Sequence, residues 1–150
     1  MESGIPLVIG YGNSLRCDDG AGIQLAEALQ ARTSLIHVLT CHQLTLDLAD
    51  AIWRAKAVLF LDASAECDAL HLKQIWAEEG SIASVEPLSH SLTTLRLLTF
   101  TNALYGSCPP TWEMLIPGQV WDIGEHLSAA AAASCQAALP LVMAWGSRYA

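Results

Sequence analysis

Two adjacent aspartates, Asp18 and Asp19, stand in the stretch GYGNSLRCDDGAG (residues 10–22), directly after the apolar run of residues 5–9. Flanking glycines make this a backbone-permissive loop, so its carboxylates are free to do one of three things. They can cap the helix that follows, bind a cation, or act on a proton. Two neighbouring aspartates cannot both cap one helix, which leaves one of them, Asp19, to face outward. Gly12 with Asn13 suits a tight turn that lets another backbone approach, and both are candidate substrate-binding positions.

A third carboxylate, Asp62, closes the apolar run KAVLFLDA (residues 56–63). A charge there is costly unless it is paired, hydrogen-bonded or bound to a metal. The alternative is a cap for the turn that follows. His90, in PLSHSL, precedes a helical pattern. Two carboxylates and one imidazole meeting at one place would form an oxygen-rich site suited to Zn, Ni or Mn. Such a site permits hydrolysis by a metal-polarised carbonyl or metal-bound water, or by an aspartate acting as general base on a free water.

Other reactive residues read differently. In CHQL (residues 41–44), His42 and Gln43 could donate and accept hydrogen bonds to an extended backbone, or simply form a turn. Only Cys41 has a histidine, His42, close in sequence, and neighbours on a strand point to opposite faces, which argues against a Cys-His thiol catalyst. His37, His71 and His126 read as structural or solvated. A dinucleotide fingerprint fails, since Leu15 occupies the third glycine position and two aspartates crowd the place of a pyrophosphate.

The elements that must position these groups alternate in type. Strands are expected at residues 5–10, 35–40, 56–63, 70–77 and 111–118, and helices at 21–32, 44–55 and 91–106. The first helix would take Asp18 or Asp19 as its N-cap. A last helix is expected from Ser128, kinked or broken at Pro140. Such alternation predicts a single α/β domain over residues 1–150, a three-layer sandwich with a twisted, mainly parallel sheet flanked by helices. Ligands of open parallel sheets sit beyond the carboxyl ends of the strands. That rim would gather the loop at 10–19, residues 41–43, Asp62 and His90.

Composition narrows the partners. The chain has 150 residues, 53% hydrophobic and 15% charged, enough for one core of its own. Its formal charge of −8, with seven Lys and Arg in all, excludes a nucleic-acid partner, which needs clustered cations. The alanine-weighted stretch at 127–145 is interrupted by Ser134, Gln136 and Pro140, whereas a spanning helix wants about 20 strongly apolar residues. No membrane association is expected. Five widely spaced cysteines without a CxxC pair or a signal peptide read as reduced thiols of a cytoplasmic protein.

Taken in order, IGYGNSLRCDDGAG, VLFLDAS and SHSL resemble the hydrogenase maturation proteases, endopeptidases that remove a C-terminal extension from the large subunit of nickel-iron hydrogenases. HQLTLDLA and PGQVWDIGEHLS look like the version found beside NAD-linked bidirectional hydrogenases. The resemblance covers nearly the whole chain and implies the same α/β sandwich. It implies an aspartic-type endopeptidase whose catalytic and metal-contacting trio is Asp19, Asp62 and His90. Many members have glutamate where this chain has Asp19, a shorter arm of the same charge. It further implies no tightly bound cofactor. The nickel already inserted in the precursor large subunit would be the metal contacted, with Zn or Cd able to substitute in crystals. The rival from another class is a non-catalytic metal-sensing or metallochaperone protein for the same subunit.

Overall fold

The computed structural model describes residues 4–79 and 92–150. Their order is β1 (Leu7–Tyr11), α1 (Ala21–Gln30), β2 (His37–Cys41), α2 (Ala49–Arg54), β3 (Val58–Ser64), β4 (His71–Ile75), α3 (Thr94–Tyr105), β5 (Thr111–Pro117) and α4 (Ala129–Arg148). Among the described residues the five strands form one sheet in the order β2-β1-β3-β5-β4. All neighbouring pairs are parallel except β4 with β5. The expected mainly parallel, three-layer sandwich is therefore observed.

Strand composition explains strand position. β1 and β3 are apolar on both faces and lie at the centre, where helices cover each side. β2 and β4, with polar residues exposed, form the edges. On one face α1 and α4 enclose Val8, Leu25, Leu59, Met114 and Val142. On the other, α2 and α3 pack over Leu7, Ile9, Phe60 and Leu97. Gly22 allows α1 its close approach, since a Cβ there would collide with the carbonyl oxygen of Leu61 on β3.

Two expectations about α4 meet different outcomes. Ser128 is its N-cap, with Oγ accepting from the amide of Ala131 at 3.1 Å. Of the kink or break expected at Pro140, the break is absent: the helix runs on to Arg148 with Pro140 on its exposed side. α4 is long and apolar enough to cross a membrane by length and composition. Here it forms a layer of the domain, with Ala131, Ala138, Val142 and Trp145 buried against the sheet and α1.

Candidate functional site

The rim is built from β1 outward. Beyond the β1·β3 partner pair Gly10↔Leu61, the next residues are Tyr11 and Asp62. Because side chains alternate along a strand, Tyr11 and Asp62 share the α2/α3 face with Ile9 and Phe60. Glu113 is the β5 partner of Phe60 and occupies the same face one step further back. Asp62 lies two residues before the end of β3 rather than closing it.

Asp19 reaches this rim from the loop after β1. Its Oδ2 accepts the backbone N–H of Asn13 at 2.7 Å. Asn13 is itself set by a local turn, its Oδ1 accepting from Leu15 N at 2.9 Å and its carbonyl from Arg16 N at 3.1 Å. Gly12 has φ +142°, and a Cβ on it would overlap the carbonyl oxygen of Asp19. The close backbone approach expected at Gly12 is thus made by Asp19, and Gly12 and Asn13 hold that carboxylate in place. Gly12→Ala is expected to destabilise the chain by roughly 1–3 kcal/mol through strain and to displace Asp19. Thermal unfolding together with the loss of the Asn13 amide shift on Asp19→Ala, already absent in Gly12→Ala, checks it.

The neighbouring Asp18 is not the cap of α1. Gly20 occupies the N-cap position, preceded by a 3-10 turn over Cys17–Gly20, and no side chain caps it. Asp18 is fully buried and works at long range. Its Oδ2 accepts from the amides of Gln119 at 2.7 Å and Val120 at 3.0 Å and from Ser128 Oγ at 2.8 Å, and its Oδ1 from Ser128 N at 2.7 Å. Burial alone would push its pKa up, but these four donors outweigh it and hold the carboxyl below the usual range. The loop is zipped to the β5–α4 connection by further pairs, Cys17 N to Gly124 O at 2.8 Å and Gly124 N to Leu15 O at 2.8 Å. Cys17 takes φ +47° within this zipper.

Asp62 has the opposite electrostatics. Burial raises its pKa to about 6, the charges of Glu113 and Asp19 add to the rise, and donation from Tyr11 and from the Ala63 amide only partly offsets it. The Tyr11 hydroxyl is pushed far above the ordinary tyrosine range by burial and by Asp62, so it remains a neutral donor. Glu113 in turn accepts from Thr94 Oγ1 at 2.6 Å, at the first turn of α3, and faces Lys73 Nζ at 3.5 Å.

His42 and Gln43 are exposed just past β2, whose last residue Cys41 partners Tyr11 and whose carbonyl accepts from Gly12 N at 3.2 Å. His90 lies outside the described residues. The described chain resumes at Leu92, and Thr93 caps α3 by accepting from Arg96 N at 3.1 Å. Of the expected trio, Asp19 and Asp62 lie on the same rim, where the charge of Asp19 adds to the rise in the Asp62 pKa, and among the described residues no three His, Cys, Asp or Glu side chains form a metal-holding group. All five cysteines are unpaired and half-buried.

Sequence reasoning missed Tyr11 and Glu113. Tyr11 stands inside the quoted glycine stretch and was masked by it. Glu113 left a usable signal, an acidic residue inside the otherwise apolar TWEMLIPG strand. A cavity of about 550 Å³ lies elsewhere, at the amino ends of the strands beside Trp53, Lys56 and Pro110. It holds none of the rim carboxylates.

No protein-family model and no curated protein sequence matches the chain. Its fold is similar to solved structures. One is the hydrogenase maturating endopeptidase HybD from E. coli, at 18% identity and TM-score 0.70 over 97% of this chain and 91% of that one. Another is the [NiFe] hydrogenase maturation protease HybD from Thermococcus kodakarensis, at 19% identity and TM-score 0.72 over 97% and 99%. A third is the hydrogenase 2 maturation peptidase from Thaumarchaeota archaeon SCGC_AB-539-E09, at 22% identity and TM-score 0.65 over 94% and 97%. At these identities the likeness establishes a shared fold over nearly the full length.

Proposed function

We propose that this chain is a cytoplasmic endopeptidase that removes the C-terminal extension from the precursor of a nickel-iron hydrogenase large subunit after nickel insertion, of the type serving NAD-linked bidirectional hydrogenases. The observation that carries the reading is Asp62, half-buried at the sheet rim, its pKa raised to about 6 by burial with the charges of Glu113 and Asp19 adding to the rise. A carboxylate kept near neutrality beside a second one is poised either to take a proton from water or to meet a cation. The fold likeness to maturation endopeptidases supports the same reading.

In this mechanism Asp19, Asp62 and His90 contact the nickel carried by the substrate, with no cofactor resident in the protease. Zn or Cd would serve as substitutes. Either Asp19 or Asp62 accepts the proton from the attacking water, and the fixed turn of Gly12 and Asn13 keeps the loop in register with the incoming peptide. His42 and Gln43, exposed on the same rim, position the extended chain.

Mixing the purified protein with nickel-loaded and nickel-free precursor, and weighing the large subunit by mass spectrometry, tests this reading. Shortening of the nickel-loaded form alone is expected, and Asp19→Asn or His90→Ala should abolish it while the protein stays folded. A nickel-loaded subunit left whole, under conditions where crude extract processes it, would instead favour a metal-sensing or metallochaperone protein.

The positioning role has its own expected result. His42→Ala or Gln43→Ala removes a hydrogen bond to substrate, weakening precursor binding about 2- to 12-fold. Affinity for nickel or cadmium should be unchanged. If His42→Ala lost metal as severely as His90→Ala, His42 would be a ligand rather than a positioning residue.

A further inference from the structure

We infer that Tyr11 is a positioning residue that orients the Asp62 carboxylate. This rests on the proposed role of Asp62, and it adds a residue outside the expected trio. Strand register brings the two together: they follow the Gly10↔Leu61 partners of β1 and β3 and share one face. The ring is seated edge-on against Phe60, with centroids 6.4 Å apart and planes at 89°, which fixes where the hydroxyl points. From that seat the hydroxyl comes close enough to Asp62 for a side-chain hydrogen bond, which, like the neighbouring Ala63 amide, lowers the carboxyl's pKa against the rise that burial causes.

A carboxylate held by two donors loses its free rotation and presents a fixed set of remaining lone pairs to the rim. Orientation of this kind matters most for Asp62, because its neighbours Asp19 and Glu113 repel it and would otherwise turn it away from the shared site. A tyrosine needed only as an apolar wedge would be replaceable by phenylalanine without consequence.

Tyr11→Phe keeps the ring and its Phe60 contact and deletes the hydroxyl alone. Outer-shell partners of this type are worth about 10- to 100-fold in metal affinity or activity. The single-turnover rate of precursor cleavage should fall by about that factor with precursor affinity unchanged, and Cd²⁺ affinity of the protein alone, measured by calorimetry, should fall in parallel. Thermal unfolding serves as the control. A drop in either quantity at unchanged precursor affinity supports the inference. Equal rates and equal Cd²⁺ affinities in a processing-competent pair would overturn it and leave the protease reading standing. If the wild-type chain binds Cd²⁺ but never processes precursor, the protease reading fails and the Cd²⁺ comparison alone decides Tyr11. Wild-type protein that does neither removes both, and a Tyr11→Phe chain that loses its fold makes the hydroxyl structural.

Discussion

Asp62→Asn is expected to make the metal-free protein more stable at pH 8 while abolishing the proposed processing of precursor. The sign follows from the raised folded-state pKa, about 6 against 3.8 for the free group. A raised carboxyl contributes stability that is complete below pH 4, where Asp62 is protonated in both states. It is lost as pH rises through 6, because the folded chain must then bury a charge that the unfolded chain solvates. The difference amounts to about 2–3 kcal/mol for a half-buried group. Asparagine keeps the shape and an oxygen to accept from Tyr11 but never ionises, so it escapes that loss. Urea unfolding of both proteins from pH 4 to 8 should show midpoints that coincide in acid and separate by roughly 1 M or more above pH 7. Parallel curves, or a less stable variant at pH 8, would mean that Asp62 is a structural acceptor. Stabilisation paired with lost activity is the signature of a group retained for chemistry at the expense of the fold.

The architecture was legible because the chain alternates between periods. The apolar runs at 56–63 and 5–10 have no polar face, and only a doubly covered central strand accepts such a run. β3 and β1 occupy the centre for that reason. Asp62 was legible by the same logic, as a charge inside an apolar run with nowhere cheap to go. The strand order and the reversal of β4 were not legible, since β4 is only a short, half-exposed edge whose direction depends on where the connection returns it. The helix is not broken at Pro140 for a local reason: a proline on the exposed side of a helix anchored by Ala138, Leu139 and Val142 loses one hydrogen bond without losing its packed face.

Tyr11 and Glu113 show what a one-dimensional reading leaves out. Each acts through a partner on another strand or helix: Tyr11 on Asp62, and Glu113 on Thr94 and Lys73. Spacing along the chain carries no trace of such pairs, which arise only from register. Asp18 was read as a helix cap because the helix is next in sequence, yet its donors lie more than 100 residues away. Adjacent aspartates therefore divide the labour, Asp18 fastening the loop and Asp19 facing the rim.

That division predicts the largest loss of stability from a single side chain near the site. Asp18→Ala strands the amides of Gln119, Val120 and Ser128 inside the fold with no acceptor, and also frees the Ser128 hydroxyl. Breaking a buried charged network of this kind costs roughly 3–5 kcal/mol, or about 10 °C in melting temperature for a domain of this size. Asp18→Asn should fall between, because its single oxygen can serve the Gln119 and Val120 amides only by turning an NH₂ group toward the Ser128 amide. The acid limb adds a second check. Asp18 has a depressed folded-state pKa, so its contribution is present above pH 4 and lost as pH falls through that lower value, opposite in slope to Asp62. Unfolding midpoints of wild type and Asp18→Asn should therefore converge in strong acid and diverge toward neutrality. The loop that carries Asp19 hangs on this knot, so processing should fall with the Asp18 variants even at temperatures where they remain folded. A folded Asp18→Ala chain that cleaved precursor at the wild-type rate would mean that the knot stabilises the domain without holding Asp19 at the rim.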